Sequence, residues 1–322
     1  MQSASSEPGS NPPPGVAVPR VAVVILNWNG REDVLQCVST LPRLEYPNWS
    51  ATVVDNASTD GSVEALHQRF PAQRVLVMEK NLGFCGGNNR GIADALEQGA
   101  DYVLLLNNDT EMHPRLIEEL VQVAESDPTI GAVGAKNLQL ENLAQVWGAW
   151  NELVYEDELV RVAGQGVLDG PRWSLIRDVD AVIGNGMMLR RAAVEAVGGF
   201  DENFFGYHED VDWCCRARAA GFRAVYCGRA VIHHKGFGAS DPTRPIPFPV
   251  LYFLGRNGIF FARKHGSLAQ RTRFAARFLS ATAAKALRAA VRGERVKPYL
   301  WMLRGFADGL TGRLPLRDLK LQ

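Results

Sequence analysis

A nine-residue segment, residues 102–110, constrains the fold of this chain more than any other. It reads Tyr-Val-Leu-Leu-Leu-Asn-Asn-Asp-Thr, an unbroken apolar run closed by polar side chains. An apolar run without alternation is typical of a strand buried on both faces of a parallel sheet. Open α/β sheets bind ligands at the carboxyl ends of their strands, so we expect Asn107, Asn108 and Asp109 to lie at a binding rim. The same residues are also typical of a simple turn, because Asn and Asp favour turns.

Strand and helix patterns alternate through the first half of the chain and become less regular in the second. The predicted strands are residues 21–26, 51–54, 74–78, 102–106, 131–140, 179–183, 187–189, 224–226 and 231–233. The predicted helices between them are residues 31–41, 62–70, a helix ending at 98, 113–125, 191–197 and 209–220. This alternation predicts an α/β fold with a doubly wound sheet. Residues 145–177 have no clear period and are predicted to form loops and short strands over a binding face.

Polar side chains stand at the ends of several predicted strands. Asn27 and Asp55 end the first two, residues 107–109 end the fourth, and Asn81 lies near the end of the third. Polar groups gathered at strand ends build a nucleotide pocket, in which Asp55 could accept hydrogen bonds from a base or a ribose. A lone carboxylate such as Asp109 can hold a divalent cation whose other ligands are phosphate oxygens. Any one of these residues could instead cap a helix, but capping does not explain their clustering.

The glycine-rich segment 83–91, Gly-Phe-Cys-Gly-Gly-Asn-Asn-Arg-Gly, opens one of the predicted helices. Glycines let the backbone approach a ligand closely, and a helix N-terminus suits an anion. The spacing is neither G-x-G-x-x-G nor G-x-x-x-x-G-K-S/T, which argues against Rossmann dinucleotide binding and P-loop chemistry.

Segment 200–213 combines carboxylates with aromatic residues. Glu209 and Asp210 stand where a predicted helix begins, so the helix dipole favours their ionised form and either could act as a general base. Simple complementarity to the dipole is the alternative explanation. Further on, His233 and His234 end a strand, and one imidazole could supply a second ligand to the cation, although an isolated histidine is more often structural.

The charge balance of the chain is zero overall but unequal along its length. Residues 263–322 carry 14 Lys/Arg and 3 Asp/Glu, whereas the remainder carries 21 basic and 32 acidic residues. A basic C-terminal section on an acidic body indicates contact with an anionic surface, such as a membrane or nucleic acid. The five cysteines are odd in number and lack C-x-x-C spacing, which is typical of a reducing compartment. We expect no signal peptide and no membrane-spanning helix.

Two helices are predicted in the basic section, at residues 267–292 and from about 298 to 312. In the first, Arg273, Arg277, Lys285, Arg288 and Arg292 fall on one side of a helical projection. The opposite side carries Leu268, Ala276, Leu279, Ala283, Ala286, Leu287 and Ala290. Phe274 and Phe278 fall beside the basic residues, where aromatic residues sit at a membrane interface. The alternative is that the helices pack on the rest of the chain and turn their charges to water.

Seven segments in a fixed order carry a resemblance to a known family. They are residues 23–30, 54–62, 81–91, 105–110, 184–191, 198–215 and 230–240. On these segments the chain resembles the inverting family 2 glycosyltransferases, most closely their rhamnosyltransferase-like branch. The resemblance implies the GT-A fold, an α/β fold with a doubly wound mixed sheet, in which a nucleotide-binding, Rossmann-like half is joined to an acceptor half. It covers residues 21–240, and C-terminal helices follow.

The resemblance also implies roles for individual residues. Asn107-Asn108-Asp109 takes the place of the metal-binding D-x-D motif, with Asp109 as its one carboxylate, and Mg²⁺ or Mn²⁺ as the cofactor. His233 is the implied second metal ligand, and His234 the second choice. Asp210 is the implied base, with Glu209 beside it. The implied donor-binding residues are Leu26, Asn27, Asn29, Asp55, Asn81, Asn107, Asn108 and Asp109. The implied acceptor-side residues are Asn185, Gly186 and Trp213.

These implications combine into one functional hypothesis. An inverting, metal-dependent enzyme would move a sugar, such as rhamnose, from a dTDP- or UDP-sugar to a saccharide or lipid-linked saccharide in cell-surface polysaccharide assembly. The predicted parts are a disordered tail (1–19), a GT-A domain (20–240), and a linker with basic helices (241–322). We expect a cytoplasmic protein, peripheral at the inner face of the plasma membrane, that binds no nucleic acid and can form a homodimer. The alternatives are a nucleotide-sugar binding protein without turnover and a Rossmann-type oxidoreductase.

Overall fold

The computed structural model describes residues 18–155, 159–236 and 247–313, and in these ranges the chain combines a mixed α/β part with C-terminal helices. The strands are β1 (Val21–Asn27), β2 (Trp49–Asp55), β3 (Arg74–Val77), β4 (Tyr102–Asn107), β5 (Thr110–Met112), β6 (Ile130–Gln139), β7 (Asn142–Gly148), β8 (Asn151–Val154), β9 (Leu159–Val162), β10 (Ile176–Val179), β11 (Met187–Arg190) and β12 (Arg223–His234). The helices are α1 (Arg31–Thr40), α2 (Ser62–Arg69), α3 (Gly83–Glu97), α4 (Leu116–Glu125), α5 (Arg191–Val197), α6 (Glu209–Ala219), α7 (Phe248–His265), α8 (Leu268–Val291) and α9 (Lys297–Thr311).

One mixed sheet organises the fold, with the order β10-β12-β6-β11-β4-β1-β2-β3. Strands β4, β1, β2 and β3 run parallel to one another, whereas β11 is antiparallel to both β4 and β6. In register, Asn27 faces Asp55 and Leu26 faces Asn107, so the polar ends of three adjacent strands meet at one edge. The α/β fold with a doubly wound mixed sheet is therefore confirmed.

Both faces of the central strands are buried. Along β1, Val23 and Ile25 belong to one core, and Ala22 and Val24 to the other. Helices α1, α2 and α4 cover the first face, and α3, α5 and α6 cover the second. Each aliphatic side chain buried in this way stabilises the fold by roughly 1.5–3 kcal/mol, which explains why an unbroken apolar run forms a strand here.

The structure differs from the prediction for three of the predicted strands. Residues 224–226 and 231–233 belong to one long strand, β12, which pairs in parallel with β6 and carries an irregularity between Cys227 and Val231. The predicted strand at 179–183 is wrong: β10 ends at Val179, and Ala181 makes only an isolated bridge to Asn151. The short-range pattern could not separate these cases, because strand pairing depends on a distant partner.

The C-terminal helices pack tightly on each other and on the sheet domain. Helices α7 and α9 approach so closely that a side chain at Gly305 or Gly309 would overlap a backbone carbonyl of α7. On α8, Phe274 is buried and Phe278 stacks on Phe306 of α9. The expectation that these two aromatic residues lie at a membrane interface is therefore wrong, because they form the packing face of the helix.

In the described part of the chain, no helix combines the length and apolarity that crossing a bilayer requires. Most of the predicted N-terminal tail and of the linker before α7 lies outside the described residues. The division into a tail, a catalytic domain and a basic helical region stays a prediction.

Candidate active site

A cavity of about 570 Å³ opens at the carboxyl ends of β1 and β4. It lies where ligands bind in open α/β sheets. Its walls come from the strand ends, the start of α6 and the segment 145–177 that was expected to lie over a binding face. We call it the central pocket. It is lined by Leu26, Trp28, Asn56, Asn81, Gly83, Phe84, Asn107, Asn108, Asp109, Trp147, Val162, Gln165, Ile183, Gly184, Asn185, Phe205, Gly206, Tyr207, Glu209, Asp210 and His234.

The turn after β4 is held in place by side-chain amides. Asn185 Oδ1 accepts a hydrogen bond from the Asn107 backbone N–H at 3.0 Å, and its Nδ2 contacts the Thr110 hydroxyl at 3.0 Å. Asn108 Nδ2 donates to Asn27 Oδ1 at 2.7 Å. These contacts explain why the Asn-Asn-Asp-Thr sequence forms a fixed rim instead of a mobile turn.

Asp109 contacts His234 on the wall of the central pocket. Asp109 Oδ1 lies 3.1 Å from His234 Nε2, and Oδ2 accepts a hydrogen bond from the Gly236 N–H at 3.2 Å. Burial by itself would raise the pKa of Asp109, but the hydrogen bond and electrostatic interaction with His234, together with backbone hydrogen bonds that include the one from Gly236, lower the pKa. Asp109 is therefore held in the ionised form that a metal ion or a cationic group requires.

The two adjacent histidines face opposite sides of β12. His234 pairs in register with Thr110 and is buried beside Asp109, whereas His233 pairs with Glu111 and does not line the central pocket. Successive side chains of a strand alternate between faces, so only one of the two can reach Asp109. The geometry brings His234, the second choice from the sequence, to the position expected of His233.

The chemistry of this pair fits a divalent cation. A carboxylate and an imidazole stand on one wall, and the Asn107 amide nitrogen lies 3.5 Å from His234 Nε2. In the described ranges, no group of three or more His, Cys, Asp or Glu side chains could enclose a metal by itself. Mg²⁺ and Mn²⁺ suit such a partial set, because they take remaining ligands from water and substrate phosphates.

Asn27 and Asp55 lie beneath the pocket and do not line it. Both are fully buried, and Asn27 Nδ2 donates to Asp55 Oδ1 at 3.0 Å. Asp55 Oδ2 accepts a hydrogen bond from the Ser58 N–H at 2.9 Å. Both carboxylate oxygens of Asp55 are thus engaged within the protein, in a network that positions Asn108 above them.

Asp210 stands at the pocket end of α6. Its Oδ2 accepts hydrogen bonds from the Gly184 N–H at 2.9 Å and from Asn151 Nδ2 at 3.1 Å. Its Oδ1 accepts one from the Val211 N–H at 2.8 Å. Burial raises the pKa of Asp210, and these hydrogen bonds oppose the increase. The result is a positioned carboxylate whose pKa lies above that of an ordinary aspartate, which suits a general base.

The environment separates Glu209 from Asp210. Burial, with repulsion from Asp210, raises the pKa of Glu209 well above its ordinary value. The buried Glu209 Oε2 has no hydrogen-bond partner in the described part of the chain, whereas Asp210 has several donors. When the pKa values of two neighbouring carboxyl groups are separated in this way, the group with the lower pKa ionises first. Asp210 is therefore the more readily ionised member of the pair.

A strained turn, residues 205–208, leads into α6. Phe205, Tyr207 and His208 all have positive φ, at 65°, 69° and 72°, a conformation that costs energy for residues other than glycine. Asn257 of α7 is fully buried, and its Nδ2 contacts the carbonyls of Phe204, Gly206 and Tyr207 at 2.9, 2.6 and 3.0 Å. A C-terminal helix thus holds the strained turn in place.

Three other residues implied by the resemblance lie away from the pocket surface. Asn29 is exposed, and its Oδ1 accepts a hydrogen bond from the Thr59 N–H at 2.8 Å. Gly186 has a φ of 76° and packs against Ile232. Trp213 is fully buried and donates to the Gly198 carbonyl, because one helical turn beyond Glu209 the helix faces the core.

Sequence reasoning missed two residues that line the central pocket, Asn56 and Trp147, and one that supports it, Asn151. Asn151 lies 59 positions from Asp210, and Asn56 binds Asn81 Oδ1 at 3.0 Å. Trp147 contacts His234 edge-on, with ring centroids 4.5 Å apart. Asn56 directly follows Asp55, so the polar residues at the end of the second predicted strand were a signal that could have identified it. Trp147 and Asn151 lie in or beside aperiodic segments that carry no such signal.

Comparison with known proteins places the chain among sugar-transferring enzymes. Residues 19–244 match the family model described as glycosyltransferase like family 2. The chain is 33% identical over 219 residues to an N-acetylglucosaminyl-diphospho-decaprenol L-rhamnosyltransferase of Mycobacterium tuberculosis, covering 60% of this chain and 69% of that protein. It is 29% identical over 249 residues to the O-antigen biosynthesis protein RfbC of Myxococcus xanthus, covering 71% of this chain but only 18% of that protein.

Solved structures agree on the fold. The mannosyltransferase PcManGT from Pyrobaculum calidifontis, solved with GDP-Man and Mn²⁺, matches with a TM-score of 0.56 at 17% identity, covering 94% of this chain and 90% of that one. GalNAc-T7, solved with UDP, GalNAc and Mn²⁺, matches with a TM-score of 0.55 at 14% identity, covering 76% and 51%. At these identities the likeness concerns the fold alone. With the family match over residues 19–244, it follows that the chain belongs to the family 2 glycosyltransferases and has the GT-A fold.

Proposed function

We propose that this glycosyltransferase inverts the anomeric configuration of the sugar that it transfers. The observation that carries the proposal is Asp210, a single well-positioned carboxylate with a raised pKa that shares the central pocket with Asp109 and His234. One base on the acceptor side and one anionic anchor on the donor side are what a single displacement requires.

In the proposed reaction, Asp210 accepts the proton of an acceptor hydroxyl group. The hydroxyl oxygen forms a bond to the anomeric carbon of the donor, while the bond from that carbon to the diphosphate oxygen breaks. The bonding electrons leave with the nucleoside diphosphate, and attack from the opposite side inverts the anomeric centre. The Gly184 N–H and Asn151 fix the orientation of Asp210. General base catalysis of this kind typically contributes ~10²–10⁴-fold to the rate.

Asp109 and His234 are the proposed protein ligands of Mg²⁺ or Mn²⁺, with His234 replacing His233 because only His234 contacts Asp109. When bound, the cation would neutralise charge on the leaving diphosphate. Mn²⁺ in the two solved glycosyltransferases supports a divalent metal. The hydrogen bond from the Asn107 N–H to Asn185 Oδ1 holds the turn that carries Asp109 at the rim.

The proposed donor is a dTDP- or UDP-sugar, and rhamnose is one candidate sugar. Leu26, Trp28, Asn56 and Asn81 would form its subsite, with the buried Asn27–Asp55 pair supporting them from below. The mycobacterial relative is named for a diphospho-decaprenol substrate, which supports a lipid-linked saccharide as acceptor in cell-surface polysaccharide assembly. Trp147, Val162 and Gln165 would face the acceptor.

The proposed location is the cytoplasmic side of the plasma membrane, with peripheral attachment. Helix α8 supports this, because Leu287 and Val291 are 66% and 80% exposed beside its basic residues. Exposed leucines next to Lys and Arg are typical of helices that lie in a membrane interface. A homodimer formed through the same apolar side chains is the proposed alternative use of this helix.

A panel of nucleotide sugars tests the catalytic proposal. The protein is incubated with Mn²⁺, a saccharide acceptor and each donor in turn, and release of nucleoside diphosphate is measured. The Asp210→Asn variant should keep donor binding and lose turnover by ~10²–10⁴-fold, because an amide cannot take the proton. Asp178→Asn, which removes an exposed charge outside the pocket, is the matched control.

The same assay separates the proposal from its alternatives. A donor that binds but is never consumed in the presence of acceptor would indicate a binding protein without turnover. Normal turnover by Asp210→Asn would remove Asp210 as the base and leave Glu209 as the candidate. Retention of the anomeric configuration in the product, read by NMR, would exclude the single displacement.

A further inference from the structure

A second cavity, of about 850 Å³, lies among the three C-terminal helices and outside the central pocket. Its floor is apolar and includes Leu251 and Leu254 of α7, Ala289 of α8 and Met302 of α9. We call it the helical groove. Its volume is within the range of ~300–1,000 Å³ that small-molecule sites occupy.

The helical groove is a built feature and not a gap between loosely packed helices. Gly255, at the groove end of α7, packs so closely on α9 that a side chain there would overlap the Met302 carbonyl. Trp301 stacks on Phe248, with ring centroids 6.1 Å apart. The walls formed by α7 and α9 are therefore fixed against each other, and α8 bridges them at Ala289, which is buried.

Positive charge surrounds the apolar floor. Lys285, Arg288, Arg292 and Arg295 line the helical groove, and among the described residues Glu294 is the one acidic residue in its lining. Arg288 Nε donates to the Ala284 carbonyl of its own helix, and Arg292 Nη1 lies 3.9 Å from Glu294 Oε1. Both contacts are exposed to solvent, so an anionic ligand could compete for these two guanidinium groups. An apolar slot with a cationic rim is complementary to a molecule with an apolar chain and an anionic head.

We infer that the helical groove binds a single anionic lipid, with the chain on the apolar floor and the phosphate head at Arg288 and Arg292. Leu287 and Val291, next to these arginines in sequence, are exposed and would lie against the bilayer that supplies the lipid. The inference rests on the proposed membrane attachment for the source of the lipid. The site itself rests on the groove and its charges.

Binding of a soluble short-chain lipid tests the site without any bilayer or activity assay. Dihexanoyl phosphatidic acid, below its micelle concentration, is titrated into the full chain by calorimetry. Dihexanoyl phosphatidylcholine tests the need for net negative charge, and inorganic phosphate tests whether a free anion suffices. We expect saturable binding of the phosphatidic acid and at least about tenfold weaker binding of the other two probes.

Paired charge reversals locate the binding site. Arg288→Glu with Arg292→Glu should weaken binding by more than about tenfold, because it replaces two positive charges beside the phosphate with two negative ones. Arg273→Glu with Arg277→Glu changes the net charge of α8 equally but lies outside the groove lining, so it should bind within about twofold of the original chain. Leu254→Asp, which places a charge on the floor, should also lose binding.

Several outcomes would overturn the inference. These are equal affinity for phosphatidylcholine, undiminished binding by the Arg288/Arg292 pair, or equal loss in both reversed pairs. Tighter binding of inorganic phosphate or of an acidic peptide than of phosphatidic acid would assign the groove to a different ligand. Because none of these measurements involves sugar transfer, failure of the catalytic proposal would leave them unchanged.

Discussion

At the scale of single residues, the carboxylate of Asp210 depends on its hydrogen-bond donors. Asn151 Nδ2 donates to Asp210 at 3.1 Å and lowers a pKa that burial raises. Asn151→Ala removes a donor to the ionised form, so a higher pH is needed to ionise the base. We expect the rising limb of the kcat/KM profile against pH to move upward by about one unit, from the typical strength of a hydrogen bond to a charged group.

The exposed Asn142 offers a control for that shift, because it lies in β7 away from Asp210. Asn142→Ala should leave the profile in place. A rising limb that stays at the same pH, or moves downward, in Asn151→Ala would mean that Asp210 is not the group whose ionisation controls the rate.

The two histidines of β12 give a second prediction at this scale. His234→Ala should weaken the Mn²⁺ dependence of nucleoside diphosphate binding more than His233→Ala, because only His234 contacts Asp109. Asp109→Ala should abolish that dependence and also sugar transfer, since within the described residues no third acidic or cysteine ligand stands beside the pair. Titration of Mn²⁺ into each variant with bound UDP or dTDP measures the order.

Removal of the metal by a chelator should reduce the original chain to the behaviour of Asp109→Ala. If His233→Ala has the larger effect, the metal binds at a different site, beside His233 and its cross-strand partner Glu111. If neither histidine matters, the metal assignment is wrong.

At the scale of elements, the amide of Asn257 in α7 contacts the backbone that leads to Asp210. Of the three carbonyls that Asn257 contacts, those of Gly206 and Tyr207 belong to the turn at residues 205–208, which precedes Asp210. Asn257→Asp keeps the shape but replaces a donor by an acceptor facing carbonyl oxygens. We expect kcat to fall by at least about tenfold with little change in the KM for the donor, because the donor subsite lies on other elements.

Arg263→Ala provides the control for helix packing. Arg263 also belongs to α7, and it donates to the carbonyls of Gly309 and Leu310 in α9, away from the strained turn. Arg263→Ala should lower the free energy of unfolding by roughly 1–3 kcal/mol, about as much as Asn257→Asp, and leave kcat unchanged. Equal loss of kcat in both variants would show that α7 stabilises the fold without positioning the turn.

At the scale of the whole molecule, residues 1–262 carry net negative charge and residues 263–322 carry net positive charge. Helix α8 has three kinds of surface: a buried face with Phe274, basic residues, and exposed apolar side chains such as Leu287. We predict that the chain sediments with vesicles that contain anionic lipid and is released by high salt, which shortens the Debye length to ~3 Å at 1 M.

Leu287→Glu with Val291→Glu should reduce sedimentation at low salt, because it places negative charge on the face toward the membrane. Leu143→Glu, at an exposed leucine of β7, is the control and should behave as the original chain. A full-length chain that ignores anionic vesicles at low salt would contradict the membrane proposal, and concentration-dependent mass in light scattering would then favour a dimer.

The sequence alone determined the features that depend on local pattern. The apolar run of β4 required burial on both faces, and the polar ends of β1, β2 and β4 had to meet once these strands were parallel. The start of α6 at Glu209 and the limits of α8 followed from helix signals in the sequence, within one residue of the observed bounds.

Only the tertiary structure decided which neighbours act together. Side chains alternate along a strand, so the pairing of β12 with β5 brought His234, and not His233, into contact with Asp109. Asn151 and Asn257 reach Asp210 and its turn from distant positions, and no local period announces such contacts. Asp55 ended its strand as expected, yet the packing around it engaged both of its oxygens inside the protein. Local pattern sets which residues are available, and three-dimensional packing sets which of them face the same space.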